Sequence, residues 1–155
     1  MKELIKHSSI DQLSAADQDL LNKAITSREQ AYAPYSHFKV GAAVQLANGE
    51  VILGNNQENA AYPTGLCAER VAIFAARANH PKEPITAIAI TCRNSKQLTN
   101  QPFTSCGSCR QVMLEYELEQ KAPIRMLFYG ETGEVWEVPN NKVLLPLYFD
   151  GSALK

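Results

Sequence analysis

A chain of 155 residues, 45% of them hydrophobic, suggests one domain over 1–155 with a substantial buried core. Its net charge of −1 comes from scattered charges with no Lys/Arg stripe, which argues against a nucleic-acid polymer as partner, and no apolar run nears the roughly 18 residues of a membrane span. Met1 to His7 lacks the apolar core of a signal peptide, so a cytoplasmic location is expected.

Taken in chain order, Ser14-Ala15-Ala16-Asp17 reads as a helix start. Leu21, Ala24, Ile25, Arg28 and Tyr32 then share one face, and Pro34 ends the helix. Phe38 to Leu46 and Glu50 to Asn55 read as strands. Asn48-Gly49 between them favours the type I′ turn of a β-hairpin. Tyr62 to Gly65 is a loop, and from Cys67 a run of good helix formers extends to His80-Pro81. Ile85 to Cys92 is a buried strand, Cys106 to Glu119 a Gly turn that becomes a helix, Ile124 to Tyr129 another strand, and Val135 to Val138 a short one. This succession fits a layered α/β domain with one sheet covered by helices.

The four cysteines carry the chemistry. Nothing marks the chain as secreted, so a C-x-x-C (Cys106, Cys109) with a distant Cys67 reads as metal or redox chemistry rather than as disulfides. Cys67 and the Cys106/Cys109 pair stand where loops become helices, and the positive end of a helix favours thiolate, the metal-binding form. Three thiolates fill three corners of a tetrahedron and leave the fourth for water, the mark of a catalytic zinc site. Glu69, two residues after Cys67, can reach that water without being a ligand and can carry its proton. By itself the C-x-x-C serves equally well as a redox dithiol, and Glu69 as an ordinary acid in a helix's first turn. Cys92, in an apolar run, reads as a small buried core residue.

These residues resemble the small homotetrameric zinc-dependent cytidine deaminases. The likeness rests on Asn56-Gln57-Glu58-Asn59-Ala60, Cys67-Ala68-Glu69-Arg70 and Cys106-Gly107-Ser108-Cys109-Arg110-Gln111, with Tyr32 to Ala43 upstream. It implies a three-layer α/β/α fold around a five-stranded mixed sheet with helices on both faces, a core of about residues 14–149, one zinc ion per subunit and a homotetramer. It also implies hydrolytic deamination of cytidine and deoxycytidine to uridine and deoxyuridine with release of ammonia, in pyrimidine salvage. By the same resemblance, Asn56 and Glu58 hold the ribose, with Glu58 accepting from the 3′-hydroxyl. Phe38 packs on the pyrimidine, the Ala68 N–H binds the metal water or the base carbonyl, and Arg70 draws charge from the thiolate sulfurs. Phe149 reaches across subunits to close a neighbour's site. One departure is visible: Ser105 stands where the family usually has proline, and is expected to cap the following helix through its hydroxyl. Arg110, beside Cys109, reads equally as a contributor to the effect given to Arg70 and as a solvated helix charge. Two alternatives stay open: a deaminase of another small aminopyrimidine nucleoside analogue, and a non-catalytic zinc-binding interaction module with Cys92 closing the metal.

Overall fold

Alternation of small and branched residues along the central strands lets a helix layer pack on each side of one sheet. The computed structural model describes residues 3–154. In chain order it contains β1 (Ile5–His7), α1 (Ala15–Glu29), β2 (Phe38–Leu46), β3 (Val51–Asn55), α2 (Ala68–Asn79), β4 (Ile85–Asn94), α3 (Gly107–Glu119), β5 (Arg125–Tyr129) and β6 (Val135–Val138). The strands form one sheet in the order β1-β6-β5-β4-β2-β3. Only the neighbours β4 and β5, joined through α3, run parallel. Among the described residues no helix is long and apolar enough to cross a membrane.

The period-two rule of strands divides the core in two. Ala42, Val44, Ile88, Ile90, Met126 and Phe128 face α2 and α3, against Ala68, Ala72, Ile73, Cys109 and Met113. Ala43, Ala87, Ala89 and Leu127 face α1, against Leu20, Leu21 and Ala24. The α1 side uses mostly alanine on its strands, which lets that helix lie close to the sheet. Gly41 takes the closeness furthest, because a Cβ there would collide with the Ala24 carbonyl and the Arg28 backbone. Gly41→Ala is therefore expected to cost about 2–3 kcal/mol, as overpacking against rigid backbone does, read as a lowered urea midpoint at unchanged m-value.

Four sequence expectations are corrected. The sheet has six strands, not five, because β1 adds to the edge beside β6. Helix α1 ends at Glu29, ahead of Pro34, and Tyr32 is not on it. Instead the Tyr32 N–H donates to the Asn56 carbonyl at 3.0 Å and the Tyr32 carbonyl accepts from the Glu58 N–H at 2.9 Å, so backbone pairing with residues 56–58 claims the segment. The hairpin turn is not type I′, since Gly49 has φ +89° but Asn48 does not have a positive φ. The Gly49 N–H donates to the Leu46 carbonyl and the Leu46 N–H to the Glu50 carbonyl, a three-residue loop closed by a left-handed glycine. Finally, Ser105 does not cap α3: Cys106 holds the N-cap position, one residue later.

Candidate active site

Helices α2 and α3 lie on the same face of the sheet, and each begins with a cysteine. Cys67 is the N-cap of α2 and Cys106 the N-cap of α3, with extended backbone at both. Cys109 lies in the first turn of α3 and is fully buried. The three sulfurs lie within 4.8 Å of one another, and Cys67 Sγ and Cys106 Sγ are 3.9 Å apart. Among the described residues this is the one group of three or more potential metal ligands, and Cys92 is not in it. Arg70, one turn along α2, donates from Nη2 to Cys67 Sγ at 3.7 Å, while its Nε is buried without a hydrogen-bond partner.

The sulfurs divide their protons unequally. Hydrogen bonding from Cys109, and then from Arg70, pulls the Cys67 thiol down to about 5 against the opposing effect of burial. The same contact with Cys67, then burial and the charge of Glu69, pushes the Cys109 thiol well above its usual range. Any thiol proton in this group is released when a cation is shared among the three sulfurs. Cys92, buried in β4, is pushed up to about 11 by burial and stays an ordinary thiol.

Glu69 sits beside the sulfurs at 4% exposure, and burial pushes its carboxyl up. Ser105 is buried close by, and its Oγ has no hydrogen-bond partner among the described residues. A carboxyl whose charged form is disfavoured by burial is suited to receiving and returning a proton.

Cys67, Cys106 and Glu69 line a cavity of about 650 Å³, within the range of small-molecule sites, and Cys109 is buried away from it. Because β2 and β4 are antiparallel, the start of one lies opposite the end of the other, with Val40 beside Cys92 and Ala42 beside Ile90. Phe38, Val40, Ile90 and Cys92 thereby supply an apolar wall, and Asn56, Glu58, Cys67, Glu69 and Cys106 the polar one.

Residues 14–122 match the model of the cytidine and deoxycytidylate deaminase zinc-binding region. The chain belongs to this family. A cytidine deaminase of Halalkalibacterium halodurans is 46% identical over 98 residues, covering 63% of this chain and 70% of that one. One of Sporosarcina psychrophila is 39% identical over 99 residues, covering 64% and 68%. The crystal structure of cytidine deaminase from Burkholderia pseudomallei superimposes with TM-score 0.75 at 38% identity, covering 88% of this chain and all of that one.

The deaminase family's zinc fits the residues present. Zn–S bonds of about 2.3 Å in a tetrahedron put sulfurs about 3.8 Å apart, close to the Cys67–Cys106 separation of 3.9 Å. The lowered Cys67 thiol suits a cation, and three protein ligands leave one position open.

The other expected site residues fall into two groups. Asn56 and Glu58 line the cavity, but both are already engaged with the chain itself. Asn56 Oδ1 accepts from the Val40 N–H at 2.8 Å, and its Nδ2 donates to the Phe38 carbonyl at 2.9 Å. Glu58 accepts from the Tyr35 and Ser36 N–H groups at 3.0 and 3.2 Å and from the Ser36 hydroxyl. Desolvation, the largest single effect, raises its carboxyl, and those bonds together outweigh it and hold the carboxyl below the usual range. Each keeps spare capacity, a second N–H on Asn56 and further lone pairs on both. Ala68, by contrast, is buried at the first position of α2, and Phe149 is 65% exposed and absent from the cavity walls.

Sequence reasoning missed Tyr35, Tyr62 and Phe103, which also line the cavity. Phe103 packs edge-on to Phe38, with centroids 5.6 Å apart at 74°. Its one signal was position, an aromatic three residues ahead of Cys106.

Proposed function

We propose that this chain is a single-domain deaminase over 1–155 that converts cytidine and deoxycytidine to uridine and deoxyuridine with release of ammonia. The observation that carries this reading is a group of three cysteine sulfurs, two of them on the wall of one cavity, beside a buried carboxyl on the same wall. When bound by Cys67, Cys106 and Cys109, zinc supplies a water acidified enough to act as a nucleophile near neutral pH. Glu69, on the same cavity wall, is placed to take the nucleophile's first proton and deliver it to N3 of the base, and to pass the nucleophile's second proton to the amino nitrogen, so that ammonia would leave as the oxygen stays on C4. Phe38 packs against the ring and excludes water from one face. Asn56 and Glu58 offer their remaining donors and acceptors to the ribose hydroxyls, and Glu58 does so as a carboxylate. The first-turn N–H of Ala68 points its positive end toward the same chemistry. Arg70, bonded to Cys67 Sγ, draws electron density from a site whose three thiolates would otherwise weaken the cation as a Lewis acid.

Steady-state ammonia release on a panel of cytosine nucleosides tests the reading. Turnover of cytidine and deoxycytidine is expected, with free cytosine poor because it offers nothing to Asn56 and Glu58. Absence of turnover by a zinc-loaded protein would overturn it. The non-catalytic zinc module is less well supported, because its closing ligand, Cys92, lies outside the sulfur group.

We further infer a homotetramer whose sites are shared. Leu147 is 91% and Phe149 65% exposed, and Tyr62 and Phe103 add exposed rings at the cavity. Uncovered apolar surface on this scale favours a partner surface, and closed symmetry favours a second copy. Phe149, off its own cavity, is then free to cover a neighbour's. Phe149→Ala is expected to raise KM about tenfold with zinc retained, the scale of a lost aromatic contact. Light scattering that finds an active monomer would refute the shared site.

A further inference from the structure

We propose that Arg110 is a positioning residue that links the metal-bearing turn to the C-terminal segment 144–149, so that metal loading and the placement of Phe149 are coupled. This rests on the assignment of Cys106 and Cys109 as ligands. Arg110 lies between Cys109 and Gln111 in the first turns of α3, and its guanidinium reaches two separate stretches of chain. Nε donates to the Ser105 carbonyl at 2.7 Å and Nη2 to Thr104 Oγ1 at 2.9 Å, which fixes the two residues leading into Cys106. Nη1 donates to the Leu144 carbonyl at 2.9 Å. The grip is returned from the other side. Asn141 Nδ2 donates to the Arg110 carbonyl at 2.6 Å, and Gln111 Nε2 donates to the Phe149 carbonyl at 2.9 Å.

The chemistry of these contacts sets Arg110 apart from a surface charge. Among the described residues no carboxylate forms an ion pair with it, and all three of its bonds end on neutral oxygens. A planar fork of fixed donors is a device for geometry, and lysine, with one rotating ammonium, cannot reproduce it. A shift of the Cys106 turn moves the Ser105 carbonyl and Thr104. The same rigid group carries that movement to Leu144, and through the segment to Phe149. Coupling of this kind is reciprocal: whatever steadies the segment steadies the metal turn by the same factor.

The test uses the zinc-loaded full chain and two readouts, the rate of zinc transfer to a chromogenic chelator and amide hydrogen exchange over 144–149. Arg110→Gln is expected to release zinc about tenfold faster and to exchange faster over 144–149, a coupling within the usual 5- to 150-fold range. Arg110→Lys, which keeps charge and stem and is the safer fold, is expected to fall between. Gln111→Ala, which frees the Phe149 carbonyl without touching Thr104 or Ser105, is expected to speed zinc release in the wild-type background and not in Arg110→Gln. Unchanged zinc release from both Arg110 variants, or an equal effect of Gln111→Ala in both backgrounds, overturns the coupling. Cys106→Ser separates the two ideas. If it retains zinc as tightly as wild type, the ligand assignment falls and the proposal with it. If it loses zinc while the Arg110 variants behave as wild type, the coupling alone is wrong.

Discussion

Glu69→Gln is expected to lower turnover by about 10²–10⁴ while zinc content and thermal stability stay near wild type. That is the usual worth of a positioned acid–base group, about 3–5 kcal/mol of barrier. Three features of its setting isolate the effect to proton transfer. Glu69 is not among the sulfur ligands, so metal binding does not depend on its charge. It is buried, and burial already disfavours its ionised form, so a neutral amide of the same size fits the space at little cost. The amide keeps hydrogen-bonding capacity yet carries no exchangeable proton of the right acidity. Turnover by the purified variant, measured beside its zinc content, checks the expectation. Near-normal turnover with zinc present would remove Glu69 from the chemistry.

How far the sequence could be read depended on whether a feature was local. Strand β2 was legible to the residue, because Phe38–Leu46 is bounded by a Pro-Tyr-Ser-His turn and an Asn-Gly loop. The starts of α2 and α3 were legible for the same reason, with cysteines at the loop-to-helix junctions. Strand β1 was not. It is three residues long and largely exposed, and it pairs with an edge that β6 offers from far along the chain, which no local pattern reveals. The Asn48-Gly49 pair correctly marked a hairpin but not its loop length, since a left-handed glycine serves a three-residue loop as well as a type I′ turn.

The site divides along the same line. The spacing of Cys67 to Glu69 and of Cys106 to Cys109 was legible because each helix start fixes it within one turn, whereas the meeting of the two turns is tertiary. The engagement of Asn56 with the β2 backbone and of Glu58 with Ser36 was not legible either, because it depends on two loops meeting. Phe103, Tyr35 and Tyr62 reach the cavity from segments far apart in sequence, and no local pattern distinguishes such aromatics from core or surface ones. The unpartnered Ser105 hydroxyl shows the cost of a one-residue misreading. At the N-cap position a serine would bond the helix's first turn, whereas one residue earlier its hydroxyl is buried without a partner.

The second large effect concerns the metal. Cys106→Ala is expected to reduce zinc from one per chain toward none and to lower the unfolding temperature measured in zinc, whereas Cys92→Ala keeps its zinc. Cys106 is the cleanest of the three ligands to test, because its side chain is exposed and its loss removes no core packing, unlike that of the buried Cys109. With one thiolate gone, two remain for a cation that requires three protein ligands at an open site, and site formation is coupled to folding. A metal present at about 1,000 times its dissociation constant stabilises the native state by about 4 kcal/mol, so its loss is visible in a thermal scan. The Cys92 thiol is buried in β4, apart from the sulfur group and raised to about 11, so it is no substitute ligand. Removing it leaves a small void and costs about 1 kcal/mol, the ordinary scale of a buried substitution, with or without zinc in the buffer. Metal analysis of the two variants side by side therefore separates them: zinc-dependent stability disappears in one and survives in the other. If Cys92→Ala instead loses its zinc, four cysteines close the metal, the position left open for water is gone, and the hydrolytic reading goes with it.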